Sequence, residues 1–338
     1  MEKGDGKMKI TAILTKYLPV FVLLFIGLGI LVGNSYPEEM KELKPFIPIP
    51  LFFMLYPMMI TLQIEEIKKA VKSPKIVLSA ILLNFVISPP LGALFAYLFF
   101  HGYPPLLAVG FILNMVTPCS GMVAAWTGFA KGKVETAVVI VAISFLMAIF
   151  MIPLWLYILV RQLVNVPVFL LLKQLVYIIV LPMIAGFATR KYLITKIGEE
   201  RFLKIKPTFP AISSLGMYAI IFISMALEAK TTLKYPEFVL LLVISMTLYY
   251  LLMFGISVLY SKLAKIDFEN MVALAYATTA KNLSITIAIA VATFGGLAIL
   301  SPAFDPPIQI ISMMAFLYAV PYIKKWFVKK TGVTQQAM

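Results

Sequence analysis

The chain lacks most of what soluble chemistry is built from. Its 338 residues contain one cysteine, Cys119, and one histidine, His101. A single thiol forms no intramolecular disulfide, and one His with one Cys makes no His/Cys metal cluster. No paired carboxylates and no Ser-His-Asp set can be drawn, because His101 falls in a predicted outside loop. There is no GxxxxGK loop, so direct ATP hydrolysis is excluded. Neither an enzyme nor a cofactor is expected. Charge is scarce too, at 13% of residues, about half the roughly 25% of a soluble domain. Acids are the scarcer sign, 15 against 29 Lys and Arg. A soluble globular chain of this length needs more polar skin than that. No stretch reads as a separate soluble domain, a low-complexity tail or a cleavable signal.

What the chain has is apolar sequence: 62% of residues, with a mean hydropathy of +0.97. That is about 210 residues, or about ten membrane crossings at ~21 residues each. Ten apolar segments follow from the pattern: 11–33, 48–64, 76–100, 105–130, 134–160, 167–189, 208–228, 236–260, 268–295 and 306–323. Helices are the open-chain element that satisfies its own backbone in lipid, so an all-α integral membrane fold of ten transmembrane helices is expected. With the N-terminus inside, 21 of the 29 Lys and Arg fall in inside connections and five (Lys41, Lys44, Arg161, Lys230, Lys234) in outside ones. Lys16, Lys173 and Lys281 lie within or at the edge of spans. This asymmetry predicts a multi-pass protein of the cell (plasma) membrane with both termini cytoplasmic. It also accounts for the net charge of +14 without nucleic acid as a partner. The basic stretch 190–206 reads as an interfacial linker against membrane lipid.

Residues 1–338 form one transmembrane domain on this reading, and the segments divide into two sets of five, about 11–165 and 166–330. A shift of 163 residues superposes segment starts: 76 on 239, 105 on 268, 134 on 297. Five spans is odd, so the halves run in opposite directions, the inverted repeat of many secondary transporters. The fourth and ninth segments are interrupted at equivalent positions. In the fourth, Asn114 and Thr117 precede Pro118, Cys119, Ser120 and Gly121, and Pro118 removes an amide donor. In the ninth, Thr278 and Thr279 precede Lys281, Asn282 and Ser284. Broken, crossing helices 4 and 9 are expected, since unwound backbone at this depth is tolerated around a cavity or a buried contact.

Thr117 to Trp126, followed by Lys131 and Gly132, resembles the fourth-span signature of the arsenite-permease branch of the bile acid/sodium symporter superfamily. Met54 to Met59 is similar to that branch's second span, and Asn282 with Ile287 to Ala292, Phe294 and Gly295 to its ninth. The resemblance implies a panel domain and a core domain, with two crossed broken helices in the core. It implies efflux of As(III) or Sb(III), with Cys119 handling the metalloid. It also points to departures. Ser284 stands where the branch carries a glutamate, and Lys281 where it carries an asparagine. The positions matching the sodium ligands of the sodium-coupled branch are Val123, Ala124, Ala137, Val141 and Ala277, none with a side-chain oxygen. Sodium is a hard cation that wants oxygen ligands, so sodium coupling is not expected. The carrier is coupled to protons or works as a uniporter.

The candidate substrate site is therefore Asn114, Thr117, Pro118, Cys119, Ser120, Thr278, Thr279, Lys281, Asn282 and Ser284, with Tyr56 facing it from the second span. The uncharged members can bind a neutral polyol-like solute such as arsenous acid, or simply cap half-helix ends. Cys119 is either a soft ligand for a soft metalloid or a small buried hydrophobe. Lys281 is costly at mid-bilayer, at least ~3 kcal/mol on insertion scales. Glu135 and Glu228 lie near span ends and Asp305 begins the last span, which leaves this lysine without a carboxylate at its depth. It would meet an anion or carry a proton. The alternative cargo is an organic anion held by Lys281 and a helix N-terminus. Asn84 with Pro89 and Pro90 is expected to bend the third span.

Overall fold

The computed structural model describes residues 17–62, 74–164, 169, 172, 173 and 176–328. The boundary between the two proposed repeats, and Lys3, Lys7, Lys9, Lys16, Lys68, Lys69, Lys72, Lys329 and Lys330, lie outside these residues. The apolar runs become helices α1 (Leu18–Ser35), α2 (Pro48–Thr61), α3 (Pro74–Phe100), α4 (Pro105–Val116), α5 (Met122–Phe129) and α6 (Val134–Val160). They continue as α7 (Val176–Ile197), α8 (Thr208–Leu227), α9 (Glu237–Leu263), α10 (Phe268–Thr279), α11 (Leu283–Phe294) and α12 (Leu300–Val328). Among the described residues no strand forms beyond one isolated bridge.

Seven helices are long and apolar enough to cross a membrane, or eight if Pro37–Phe46 and Pro48–Thr61, bent by 49°, make one span. The fold is thus all-helical and membrane-embedded. The apolar runs 105–130 and 268–295 yield shorter pieces because each is split: α4 and α5 flank one break, α10 and α11 the other. The stretch 190–206 is also helical. It completes α7, turns at Gly198 with φ +82°, and forms a short helix Glu199–Ile205.

Where a bend is expected in α3, the helix widens into a looser turn over Leu82–Ile87, a device that frees backbone carbonyls. The freed Phe85 carbonyl accepts the indole N–H of Trp155 at 2.7 Å.

The helices pack in two groups. In one, α8 lies against α1 and α2, and α7 against α2. Lipid gives no hydrophobic drive to this association, so close backbone approach supplies it. A Cβ on Gly216 would lie 2.5 Å from the Met54 nitrogen, and one on Gly33 would meet the Ala226 backbone. In the other group α3, α4, α5, α6, α9, α10 and α12 surround the two breaks, and α12 also reaches across to α1.

Candidate functional site

The two breaks cross and hydrogen-bond. α4 ends at Val116, and Thr117 leaves it with extended backbone (φ −67°, ψ 152°), the geometry a following proline favours. α10 ends at Thr279. Between the two, Cys119 and Lys281 form an antiparallel bridge. Ser120 donates its amide to the Ala280 carbonyl at 2.7 Å, and Asn282 donates its amide to the Pro118 carbonyl at 2.8 Å. Each break thus satisfies the other's backbone, the condition for irregular chain inside a membrane protein. Asn282 also caps α11: its Oδ1 accepts the Ile285 amide at 3.2 Å.

Side chains add to the crossing. Thr117 donates to the Asn114 carbonyl at 2.8 Å and pairs with the Thr286 hydroxyl at 2.9 Å. Lys281 is fully buried and donates Nζ to Ser88 Oγ at 2.9 Å. Ser88 in turn bonds the Met115 carbonyl at 2.7 Å and the Tyr249 hydroxyl at 2.6 Å.

A cavity of about 540 Å³ opens against the crossing. Ser120, Lys281, Asn282 and Ser284 line its inner end. Met58 of α2 and Ser213 and Met217 of α8 face them, so the cavity lies between the two packing groups. Val141 and Phe145 of α6 make another wall, while Lys206 and Pro207 stand at the basic connection before α8. Apolar surface dominates, with a few polar groups gathered at the break, as ligand pockets generally are.

Residues 48–235, more than half of the chain, match the Sodium Bile acid symporter family. The chain belongs to that family. It is 27% identical over 300 residues to the arsenical-resistance protein Acr3 of Alkaliphilus metalliredigens, covering 83% of this chain and 84% of that one. It is 24% identical over 334 residues to Acr3 of Corynebacterium glutamicum, with 92% and 89% covered. An uncharacterized sodium-dependent transporter of Bacillus subtilis, YocS, is 26% identical over 308 residues, with 90% and 91% covered. The symporter family and the apolar helices together make this a multi-pass membrane protein of a transporter family.

Four of the eleven candidate residues, Ser120, Lys281, Asn282 and Ser284, line the cavity of this symporter-family protein. Pro118 and Cys119 lie one layer behind it. Cys119 is fully buried, with its thiol beside Ser144 of α6. Thr278 and Thr279 turn into the protein: both bond the Ala275 carbonyl at 2.9 Å, and Thr278 also meets Ser257 at 2.8 Å. Tyr56 faces α7, its hydroxyl paired with Thr189 at 2.6 Å, and it is Met58 that α2 presents to the crossing. Asn114 is fully buried and donates Nδ2 to Asp305 at 2.6 Å.

That last contact corrects one expectation. Lys281 does have a carboxylate at its depth. α12 begins at Leu300 rather than near 306, so Asp305 lies in its second turn and is fully buried. Gln309, one turn further on from Asp305, donates to the Lys281 carbonyl at 3.4 Å. The hydropathy pattern placed Asp305 at a span end because it bounds the last apolar segment at 306–323. An ionisable residue inside an apolar run was the available signal.

Proposed function

We propose that this protein is a secondary carrier that exports trivalent arsenic or antimony; two of its relatives are arsenical-resistance proteins. The observation that carries this reading is the bridge at the crossing. It fixes Cys119 one residue from Ser120 and opposite Lys281, both of which line the cavity. Ser120, Asn282 and Ser284 supply the hydroxyl and amide partners a neutral oxyacid needs. The thiol waits behind them, a soft donor for a soft metalloid once the wall shifts. In the full arrangement, each broken pair counts as one span of ten, in inverted repeats of five, with both termini cytoplasmic in the plasma membrane. The cavity beside Lys206 and Pro207 then faces the cytoplasm. Sodium is not the coupling ion: the Lys281 ammonium stands at the crossing and repels a metal cation.

Expression in a host that lacks arsenic efflux tests this. Growth in arsenite or antimonite is restored by the protein and lost with Cys119→Ser. Full tolerance with Cys119→Ser removes the thiol from the mechanism. No gain of tolerance with the unaltered protein overturns the cargo.

A second reading keeps the carrier and changes the cargo. The cavity is larger than an arsenous acid molecule needs and is mainly apolar, with Lys281 among its lining residues. That suits an organic anion with a carboxylate or sulfonate on Lys281. Uptake of labelled organic anions into proteoliposomes, without arsenite transport, is the result that selects it.

A further inference from the structure

One carboxylate in the core has half of its hydrogen bonding. Asp305 Oδ2 accepts from Asn114 Nδ2 and from the Tyr250 hydroxyl, each at 2.6 Å. Asp305 Oδ1 has no partner, and neither has Asn114 Oδ1. Both residues are wholly buried. Lys281 gives its ammonium to Ser88 at 2.9 Å rather than to this carboxylate. A buried acceptor without a donor is costly, and here two occur on side chains already joined by one bond.

The chemistry of the pair shows what is missing. A neutral carboxylic acid and a primary amide match each other twice. The amide N–H goes to one acid oxygen, and the acid O–H goes to the amide oxygen. The first bond is present between Asn114 and Asp305. A proton on Asp305 Oδ1 would supply the donor for the second bond and give both orphan oxygens a partner. We propose that Asp305, seated against Asn114, binds the coupling proton of this carrier.

Binding converts the carboxylate and one proton into the acid, so the charge of the core rises by one. Release restores the carboxylate, whose charge Lys281 then balances from the neighbouring break. Pro306, next in the chain, and Lys281 both line the cavity, so the seat lies just behind its wall. The other ionisable groups around it are Tyr249 and Tyr250 of α9 and, beyond Lys281, Cys119. α1, α4 and α11 carry none among the described residues. Ionisable groups inside a membrane domain are characteristic of proton relays. This inference rests on the carrier reading and adds the group that holds the ion, while its test needs no cargo.

The full chain is purified into liposomes, and infrared difference spectra are recorded between mildly acidic and mildly alkaline buffer. A carboxylic-acid carbonyl band is expected to vanish on the alkaline side. Asp305→Asn, which keeps the amide-type pairing, is expected to lose that band. Asn114→Ala is expected to keep it but to shift its loss to higher pH, because the carboxylate loses a charge-assisted amide donor, a stronger bond than the neutral one the acid loses. A protein without a titrating band overturns the proposal, as does a band that survives in Asp305→Asn. So does a band that sodium chloride alone converts to carboxylate, because the seat then takes a metal ion. The spectra are read without arsenite or organic anion, so failure of either cargo leaves them interpretable.

Discussion

Lys281 shows how far residue-level chemistry reaches. A lysine in the middle of an apolar run signals function from sequence alone, and the structure brings it to the crossing. What it does there depends on partners a sequence does not place side by side: Ser88 on α3, Tyr249 on α9 and Asp305 on α12. These come from three separate parts of the chain. Spacing links only neighbours in sequence, which is why the two breaks were readable and this network was not. The same limit applies to Thr278 and Thr279, which read as site residues and in fact bond back to their own helix, a local alternative open to any Ser or Thr. Lys281→Gln removes a hydrogen bond from a charged donor, worth about 1.5–3 kcal/mol. Transport into proteoliposomes is expected to fall by about ten- to a hundredfold, since each ~1.4 kcal/mol is tenfold. An unchanged rate with unchanged pH dependence would take Lys281 out of the mechanism.

The next scale is the helix and its interruption. Pro118 at the fourth segment and the polar run at the ninth mark breaks that hydropathy alone would pass over, because both segments are apolar enough on average to read as one span. The sequence also carries the cap: Asn282 is of the type that ends unwound chain and begins a helix. It accepts the Ile285 amide, and its own amide bonds the Pro118 carbonyl of the other break. Helix ends at prolines are less readable. α12 runs from Leu300 through Pro306, Pro307 and Pro321 without ending, because neighbouring groups in a packed membrane core can take up the carbonyls that proline leaves free. The wide turn in α3 is a third case, since Asn84 and the two prolines foretell a bend without saying that the backbone takes six residues to make it. Asn282→Ala is expected to lower stability by about 0.5–2 kcal/mol, the usual cost of losing a cap. Asn282→Asp keeps the acceptor and should recover most of it. The thermal midpoint in detergent of the three proteins checks this, and equal midpoints would show that the break holds α11 without the side chain.

At the scale of the whole molecule, α11 contributes to the walls of two cavities. The larger lies against Ser120 and Ser284, beside Lys206 and Pro207. A second, of about 460 Å³, is lined by Lys41, Lys44 and Glu228 and by the end of α11 with Gly295 and Gly296. α11 therefore runs from the wall of one cavity to the wall of the other. The packing agrees with this division, because the α1, α2, α7 and α8 group meets the group around the breaks along both cavities. A sliding of one group against the other would close one cavity and widen the other around a cargo held at the crossing. Such motion is the general means by which broken-helix transporters expose one site to two sides. On the proposed orientation, Lys206 falls in a basic inside connection, and Lys41 and Lys44 fall in a sparse outside one. In a Cys119→Ser background the protein has no thiol, so single cysteines report access cleanly. Ser284→Cys is expected to react with a membrane-impermeant maleimide from the cytoplasmic face, in inside-out vesicles. Lys44→Cys is expected to react from the outer face, in intact cells or right-side-out vesicles. Labelling of both positions from one face would overturn the orientation and with it the placing of the two cavities on opposite sides of the membrane.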